Sequence, residues 1–238
     1  MRVLLISANP LTAPYPVYPL GLDYVAGAIS DKHRVKIVDV NDAGDVAGIG
    51  QVVDTFEPEV IGISLRNIDN TDTTDPRGFV GIYRELIDNL RRVSRAPIVL
   101  GGSGFTIFPV EMMQALSAEY GIIGEGERFA QFLDALANGD DETRVPGVIT
   151  AATEACIPDP WPTAFDRMID PNNSHIQYYL RQGGMLNLQT KRGCPYRCIY
   201  CTYPYIEGHR MRHIPPGEVA RNALALQEVG ARYLFITD

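Results

Sequence analysis

Cys194, Cys198 and Cys201 lie within one stretch of eight residues, with the spacing C-x3-C-x2-C. Three thiolates placed this closely suit an iron–sulfur cluster. Three protein ligands leave one iron of a cubane without a protein donor, and an open iron can bind a substrate or a cofactor. The spacing therefore predicts a 4Fe-4S cluster with one accessible iron.

Zinc is the alternative ligand for this part of the chain. Cys198 and Cys201 are followed by His209 and His213, which together offer two thiolates and two imidazoles. Zinc fingers place roughly 12 residues between the two pairs of ligands, whereas only seven residues lie between them here. A zinc site would also leave Cys194 without a role, so the spacing favours the cluster.

The cysteine motif resembles the cluster site of the radical S-adenosylmethionine (radical SAM) superfamily. The resemblance implies that Cys194, Cys198 and Cys201 ligate the cluster and that its open iron binds S-adenosylmethionine. It implies that Tyr200 lies near the adenine of that cofactor. It also implies reductive cleavage to a 5′-deoxyadenosyl radical, with an electron donor such as flavodoxin or ferredoxin.

The composition argues against several classes of partner and location. The chain has 238 residues, enough for one large domain or two modest ones. Its net charge of −8 argues against a nucleic-acid surface formed by bulk charge. No apolar run approaches the ~20 residues that span a bilayer, and the run at residues 2–7 is too short for a secretion signal. We therefore expect a cytoplasmic protein without a nucleic-acid partner or a membrane span.

The first part of the chain alternates apolar β-rich runs with helical patterns, which predicts an α/β fold. Continuous apolar runs are typical of strands buried on both faces, as in a parallel sheet. The alternation predicts a doubly wound, Rossmann-like domain over residues 1–154. The predicted strands are 2–7, 35–40, 60–65, 97–100 and 121–123. The predicted helices are 21–30, 46–56, 79–93, 110–118 and 128–138.

A proline-rich segment separates this domain from the cysteine motif. We expect residues 155–182 to be a linker, within which the secondary structure of 175–180 stays open. After it come a predicted strand, the cysteine loop, a helix at 216–229 and a second strand. This order resembles the start of the partial (β/α) barrel of radical SAM cores, here over residues 183–238. The resemblance predicts that the chain is the N-terminal piece of a longer protein and is inactive alone.

The glycines of the first domain indicate what it binds. The domain has no P-loop, and no G-x-G-x-x-G follows its first strand. The glycines come after the fourth and fifth strands, and this placement resembles the cobalamin-binding domain that precedes many radical SAM cores. Cobalamin domains with a histidine ligand carry D-x-H-x-x-G, where this chain has Asp39, Asn41 and Gly44. Because an amide is a poor donor to cobalt, the resemblance implies cobalamin without a protein histidine on its lower face.

The predicted cobalamin contacts lie at the carboxyl ends of the strands, where open α/β sheets bind ligands. Residues 64–67 are expected to line the lower side of the corrin, and glycines are expected to let the backbone approach the nucleotide tail. The predicted contacts are Asn9, Pro10, Asp39, Asn41, Ser64, Leu65, Arg66, Asn67, Gly101, Gly102, Gly104, Glu125 and Gly126. The alternatives are structural: a strand-to-helix turn at 101–104, a helix start at 124–127, and a helix cap at Asp39.

Together these patterns predict a cobalamin-dependent radical SAM enzyme. The commonest chemistry of that family is methyl transfer to an unactivated carbon through a 5′-deoxyadenosyl radical. The alternatives are a radical rearrangement or cyclisation with the same cofactors, and a non-catalytic module that binds cobalamin or a cluster. The substrate, a small molecule or a peptide, is not specified by these residues.

Overall fold

A computed structural model describes residues 1–44, 46–162, 165–172 and 174–238. The first part forms a six-stranded sheet with the order β2-β1-β3-β4-β5-β6. The interior strand β1 is a run of apolar side chains buried on both faces of the sheet. The strands are β1 (Arg2–Ser7), β2 (Arg34–Asp39), β3 (Val60–Ser64), β4 (Ile98–Gly101), β5 (Tyr120–Ile122) and β6 (Val148–Ile149).

The sheet is parallel from β1 to β5, and β6 pairs with β5 antiparallel. The predicted Rossmann-like parallel sheet is therefore confirmed. The antiparallel edge strand was not predicted, because two residues are too few to produce a recognisable period.

Helices cover both faces of the sheet and form two separate apolar cores. One core packs α3 and α4 against the sheet, and the other packs α1 and α7. The helices of this part are α1 (Leu20–Ile29), α2 (Val40–Ala43), α3 (Val46–Phe56), α4 (Val80–Val93), α5 (Ser103–Ile107), α6 (Pro109–Leu116) and α7 (Phe129–Asn138).

The remaining elements form a C-terminal unit around the cysteine motif. Strand β7 pairs in parallel with β10, and helix α10 packs against β7 through the buried Leu226. Strands β8 and β9 pair antiparallel and enclose the cysteine loop, residues 193–211. The elements are α8 (Ser174–Arg181), β7 (Met185–Leu188), β8 (Lys191–Arg192), α9 (Tyr203–Glu207), β9 (Arg212–His213), α10 (Pro216–Glu228) and β10 (Tyr233–Ile236).

The predicted linker is packed against the first domain. Helix α8 occupies its last part, and Phe165 is buried with Tyr24 of α1 and Ile214. The backbone N–H of Met168 donates to the carbonyl of Asp23 at 3.0 Å. Positions 45, 163, 164 and 173 of the predicted domain and linker lie outside the described residues. The domain boundaries stay predictions.

Within the part of the chain that the structure describes, no helix is both long enough and apolar enough to cross a bilayer.

Gly27 lets the linker backbone pass directly over α1. A Cβ atom at this position would lie 2.6 Å from the carbonyl carbon of Asp166, closer than any ordinary carbon contact. The close approach therefore depends on the absence of a side chain.

We expect Gly27→Ala to lower the free energy of unfolding by about 1–3 kcal/mol, because the added methyl group would displace the backbone at Asp166. Gly50→Ala in α3 is the matched control, since no atom lies within 4 Å of the added carbon. Helix propensity predicts that the control gains roughly 1 kcal/mol. Urea unfolding measures both variants, and equal effects would contradict the packing described.

Candidate functional site

A cavity of about 480 Å³ lies between the carboxyl edge of the sheet and the C-terminal unit. Its first wall comes from the ends of β1, β3, β4 and β5 and from the start of α1. Its second wall comes from β7, β8, α9 and the residues after β10. The first wall includes Ser7, Asn9, Tyr24, Ser64, Arg66, Gly101, Gly102, Glu125 and Gly126. The second includes Asn187, Gln189, Arg192, Tyr203, Glu207, Thr237 and Asp238.

The structure divides the predicted cobalamin contacts into two groups. Seven of them line the cavity: Asn9, Ser64, Arg66, Gly101, Gly102, Glu125 and Gly126. The others stand outside the cavity wall: Pro10, Asp39, Asn41, Leu65, Asn67 and Gly104. Their roles toward a ligand stay predictions.

The glycines after β4 are needed by the turn itself. Gly102 has a φ of +93°, and a Cβ there would lie 2.8 Å from the carbonyl oxygen of Leu65. A Cβ at Gly104 would lie 3.0 Å from the same oxygen. A side chain at Gly102 would be strained by its φ and by this contact. The structural alternative for this motif, a tight strand-to-helix turn, is therefore observed beside the cavity.

Asp39 caps a helix, as its structural alternative predicted. Its Oδ1 accepts from the backbone N–H of Asn41 at 2.8 Å, and its Oδ2 accepts from the hydroxyl of Tyr179 at 3.2 Å. The amide of Asn41 donates to the carbonyl of Asn9 at 2.9 Å. Burial raises the pKa of Asp39, and hydrogen bonds from Ser7, Asn41 and Tyr179 oppose the rise.

Tyr24 brings an unpaired hydroxyl to the cavity. The residue is 1% exposed, lines the cavity, and its hydroxyl has no hydrogen-bond partner among the described residues. A buried hydroxyl without a partner costs free energy. A ligand with amide or carbonyl groups could supply that partner, and the periphery of cobalamin carries amides.

A buried ion pair joins α1 to the linker beside the cavity. The guanidinium of Arg167 donates to Asp23 Oδ2 from Nε at 3.0 Å and from Nη2 at 2.8 Å. Both side chains are almost completely buried. The hydroxyl of Tyr18 donates to the same carboxylate, and Arg167 Nη1 donates to the carbonyl of Asn187 in β7 at 2.8 Å. This arrangement connects the first domain, the linker and the C-terminal unit.

A second buried cluster, the arginine–glutamate cluster, consists of Glu125, Glu127, Arg192 and Arg212. Glu125 pairs with both arginines at 3.0 Å, and Glu127 pairs with Arg192 at 2.6 Å. Both glutamates belong to the chain that follows β5, and the arginines belong to β8 and β9. The cluster therefore joins the sheet edge to the two strands that enclose the cysteine loop.

The three cysteines of the motif are free thiols on the cysteine loop. Cys194 is half-buried, whereas Cys198 and Cys201 are exposed, and Tyr200 is also exposed. Within the described ranges, no three His, Cys, Asp or Glu side chains are placed to hold a metal. The three thiols therefore share one loop but do not converge on a common point, and their role as cluster ligands stays a prediction.

One family model, the B12 binding domain, matches residues 6–133, which is more than half of the 238 residues of the chain. The chain belongs to the B12-binding domain family. Membership in this family supports cobalamin binding by the chain.

Two curated relatives of the chain are named as methyltransferases. The chain is 26% identical over 236 residues to the tryptophan 2-C-methyltransferase of Streptomyces laurentii, covering 76% of this chain and 39% of that protein. It is 26% identical over 204 residues to an uncharacterised methyltransferase of Pyrococcus horikoshii, covering 82% and 42%. The chain thus spans about two fifths of the length of the curated relatives it matches.

Solved structures share the whole fold of this B12-binding chain, which matches their N-terminal part. One is the radical S-adenosylmethionine methyltransferase TsrM of Kitasatospora setae with tryptophan and a cofactor analogue. The comparison gives a TM-score of 0.86 at 27% identity, and the match covers 100% of this chain and 47% of the TsrM chain. TsrM with cobalamin and a 4Fe-4S cluster bound has a TM-score of 0.84 at 25% identity, with the same coverage. The radical enzyme OxsB, at 16% identity and a TM-score of 0.78, covers 100% of this chain and 34% of its own and shares the fold.

Sequence reasoning missed the charged residues that join the first domain to the C-terminal unit beside the cavity of this B12-binding chain. Asp23 and Arg167 are 144 positions apart, and no local pattern connects them. Arg192 and Arg212 carried a weak signal, because they lie at the two ends of the cysteine loop.

We expect Asp23→Asn to lower the free energy of unfolding by about 3–5 kcal/mol, because Arg167 would stay buried without a counter-charge. Asp134→Asn is the matched control, since its ion pair with Lys32 is exposed and should be worth no more than about 1 kcal/mol. Chemical denaturation measures both. A loss in Asp23→Asn as small as in the control would contradict the importance of the buried pair.

We expect the pH dependence of stability to change in Asp39→Asn. A carboxyl group with a raised pKa binds protons more tightly in the folded state than in the unfolded state. Its contribution to stability is therefore present at acid pH and is lost as the pH rises past the ordinary carboxyl range. The asparagine can keep the helix cap but cannot ionise. Relative to wild type, the cobalamin-free variant should become more stable as the pH rises, as measured by urea unfolding at several pH values. A stability difference that does not change with pH would show that Asp39 titrates normally.

Proposed function

We propose that this chain is the cobalamin-binding part of a cobalamin-dependent radical S-adenosylmethionine methyltransferase, together with the first segment of its cluster-binding core. The observation that carries the proposal is the shared cavity. One wall is the carboxyl edge of a B12-binding sheet, and the other is the unit that bears the C-x3-C-x2-C motif. A ligand in this cavity would contact both.

The residues of the first wall fit cobalamin. The unpaired hydroxyl of Tyr24 would hydrogen-bond to an amide of the corrin periphery. Ser64 and Arg66 would contribute polar groups from the end of β3. Among the described residues that line the cavity there is no histidine, which is consistent with cobalamin bound without a histidine ligand from the protein.

The donor types of the cysteine loop fit an iron–sulfur cluster. Cys194, Cys198 and Cys201 would hold three irons, and Tyr200 would lie near the adenine of S-adenosylmethionine. When bound, the cluster would supply the electron that cleaves S-adenosylmethionine, and cobalamin would carry the methyl group. An electron donor such as flavodoxin or ferredoxin would reduce the cluster.

The reaction we propose is methyl transfer to an unactivated carbon of a small molecule or a peptide. The name of one relative, the tryptophan 2-C-methyltransferase, supports transfer to carbon. One molecule of S-adenosylmethionine would give the methyl group and leave S-adenosylhomocysteine. A second, with one electron, would give methionine and the 5′-deoxyadenosyl radical, which would take the substrate hydrogen and leave as 5′-deoxyadenosine. The electron donor would supply one further electron per turnover, because the methyl group leaves S-adenosylmethionine as a cation and joins a carbon radical of the substrate.

The assay uses the anaerobically loaded protein that contains this chain. We expect about one S-adenosylhomocysteine and one 5′-deoxyadenosine per methyl group transferred, as the electron balance requires. Cys198→Ser should lose cluster iron and both products but keep cobalamin, as measured by metal analysis and mass spectrometry. Cys156→Ser is the matched control, because Cys156 is an exposed thiol outside the motif, and should behave as wild type.

Other outcomes would contradict this proposal in distinct ways. Tightly bound zinc at the cysteine loop would exclude the cluster. A product with an unchanged carbon count would indicate a rearrangement or cyclisation. A loaded cluster that yields no 5′-deoxyadenosine and no methylated product would indicate a non-catalytic binding module, and methyl transfer without 5′-deoxyadenosine would exclude the radical route.

A further inference from the structure

Glu125 contacts both strands that enclose the cysteine loop. Its Oε1 accepts from Arg192 at 3.0 Å and from Arg212 at 3.1 Å, and its Oε2 accepts from Arg212 at 3.0 Å. Arg192 in β8 and Arg212 in β9 are register partners in the antiparallel pair. A single carboxylate from the sheet edge therefore holds both ends of the loop that carries the three cysteines.

Burial makes this contact sensitive to geometry. The side chains of Glu125 and Arg192 are 4% and 6% exposed. The guanidinium of Arg192 lies 4.5 Å from the ring centre of Tyr24 and 4.1 Å from that of Phe165. Buried charges are stable only when their partners are well placed. The cluster therefore favours one position of β8 and β9 relative to the sheet.

The same contacts leave Glu125 without capacity for a ligand. A carboxylate offers about four acceptor positions. Arg192 and Arg212 take three of them, and the backbone N–H of Trp161 donates to Oε2 at 2.6 Å. Glu125 lines the cavity, yet its oxygens are fully used within the protein.

Further hydrogen bonds connect Arg212 to the backbone of the cysteine loop. Arg212 Nη2 donates to the carbonyl of Glu207 at 2.6 Å, and the Glu207 carboxylate accepts from the backbone N–H of Gly193 at 3.3 Å. The N–H of Cys194 donates to the carbonyl of Gly208 at 3.1 Å. A displacement of Arg212 would therefore displace Glu207 and, through it, the backbone at Gly193, next to the first cysteine.

We propose that Glu125 is a positioning residue that holds the cysteine loop at a set distance from the cobalamin cavity. The catalytic meaning of this distance rests on the proposed function. The positioning of the loop by Glu125, in contrast, depends only on contacts among the described residues, and it can be tested without any cofactor.

The first test is amide hydrogen exchange of the cofactor-free chain. In Glu125→Gln, exchange within 193–211 should be about 10-fold faster or more, because charge-assisted hydrogen bonds at both ends of the loop are weakened. Exchange in β1 and β3 should stay unchanged. Glu119→Gln is the matched control: Glu119 lies before β5, at its opposite end, and pairs with Arg91 on the surface. It should leave the loop unchanged.

Cobalamin affinity separates positioning from ligand contact. The proposal expects the dissociation constant of hydroxocobalamin to change by less than about 3-fold in Glu125→Gln, since the carboxylate has no free acceptor. Unchanged loop exchange would overturn the proposal, whatever the affinity. Affinity weakened by about 10-fold or more, the size expected for a lost hydrogen bond to the ligand, would identify Glu125 as a cobalamin contact and would also overturn it.

Arg212→Lys keeps the proposal testable if Glu125→Gln does not fold. Arg212 is less buried than Arg192, and lysine keeps the charge but lacks the planar fork that contacts Glu125, Trp161 and Glu207 together. Loop exchange should again rise, and the sheet should stay protected. Normal protection of the loop in this variant would overturn the proposal.

The distance between the two cofactors distinguishes a positioning role of Glu125 from a general role in stability, because a loss of stability alone would leave that distance unchanged. In the cofactor-loaded protein, pulsed electron paramagnetic resonance measures the distance between cob(II)alamin and the reduced cluster. We expect one narrow distribution in wild type and Glu119→Gln, and a broader or shifted one in Glu125→Gln. Identical distributions would overturn the positioning role. If wild type holds no cluster, the proposed function fails, while the exchange experiment still decides the role of Glu125.

Discussion

Charges buried between the sheet edge and the C-terminal unit are the interaction on which the site depends. Removing a charged group from water costs several kcal/mol per ion, and a partner offsets this only in a good geometry. Asp23 with Arg167, and Glu125 with Arg192 and Arg212, meet that condition between elements far apart in the chain. Few other arrangements of the two parts would satisfy these groups, so the buried pairs define the width and shape of the cavity.

Because of this packing, the two walls of the cavity differ in the residue types that they present. The B12-binding edge presents small residues and backbone turns, with Gly102 in a conformation that other residues rarely adopt. The opposite wall is richer in polar side chains, among them Gln189, Glu207 and Asp238. A large ligand that needs close backbone approach fits the first wall, and a ligand with polar groups to orient fits the second.

Several predictions from sequence were right because they rest on local physics. Continuous apolar runs such as residues 2–7 became strands buried on both faces, and the strand–helix alternation became a parallel sheet. Asp39 and the turn at Gly102 show the limit of motif reasoning, because the structural alternative given for each is observed, while contact with a ligand stays a prediction. Helix α8 could not be assigned, since its apolar residues pack in a core that Tyr18 and Leu226 complete from distant parts of the chain.

The sequence by itself determined the spacing of the three cysteines, the alternation of strands and helices that builds the parallel sheet, and the resemblance to a cobalamin-binding domain. All of these depend on residue type and spacing along the chain. Only the tertiary structure decided that Glu125 pairs with arginines 67 and 87 positions away, and that the linker packs over Gly27. The physical reason is that partners for buried charges, and the room for a backbone to pass, are set by neighbours in space, which local spacing does not encode.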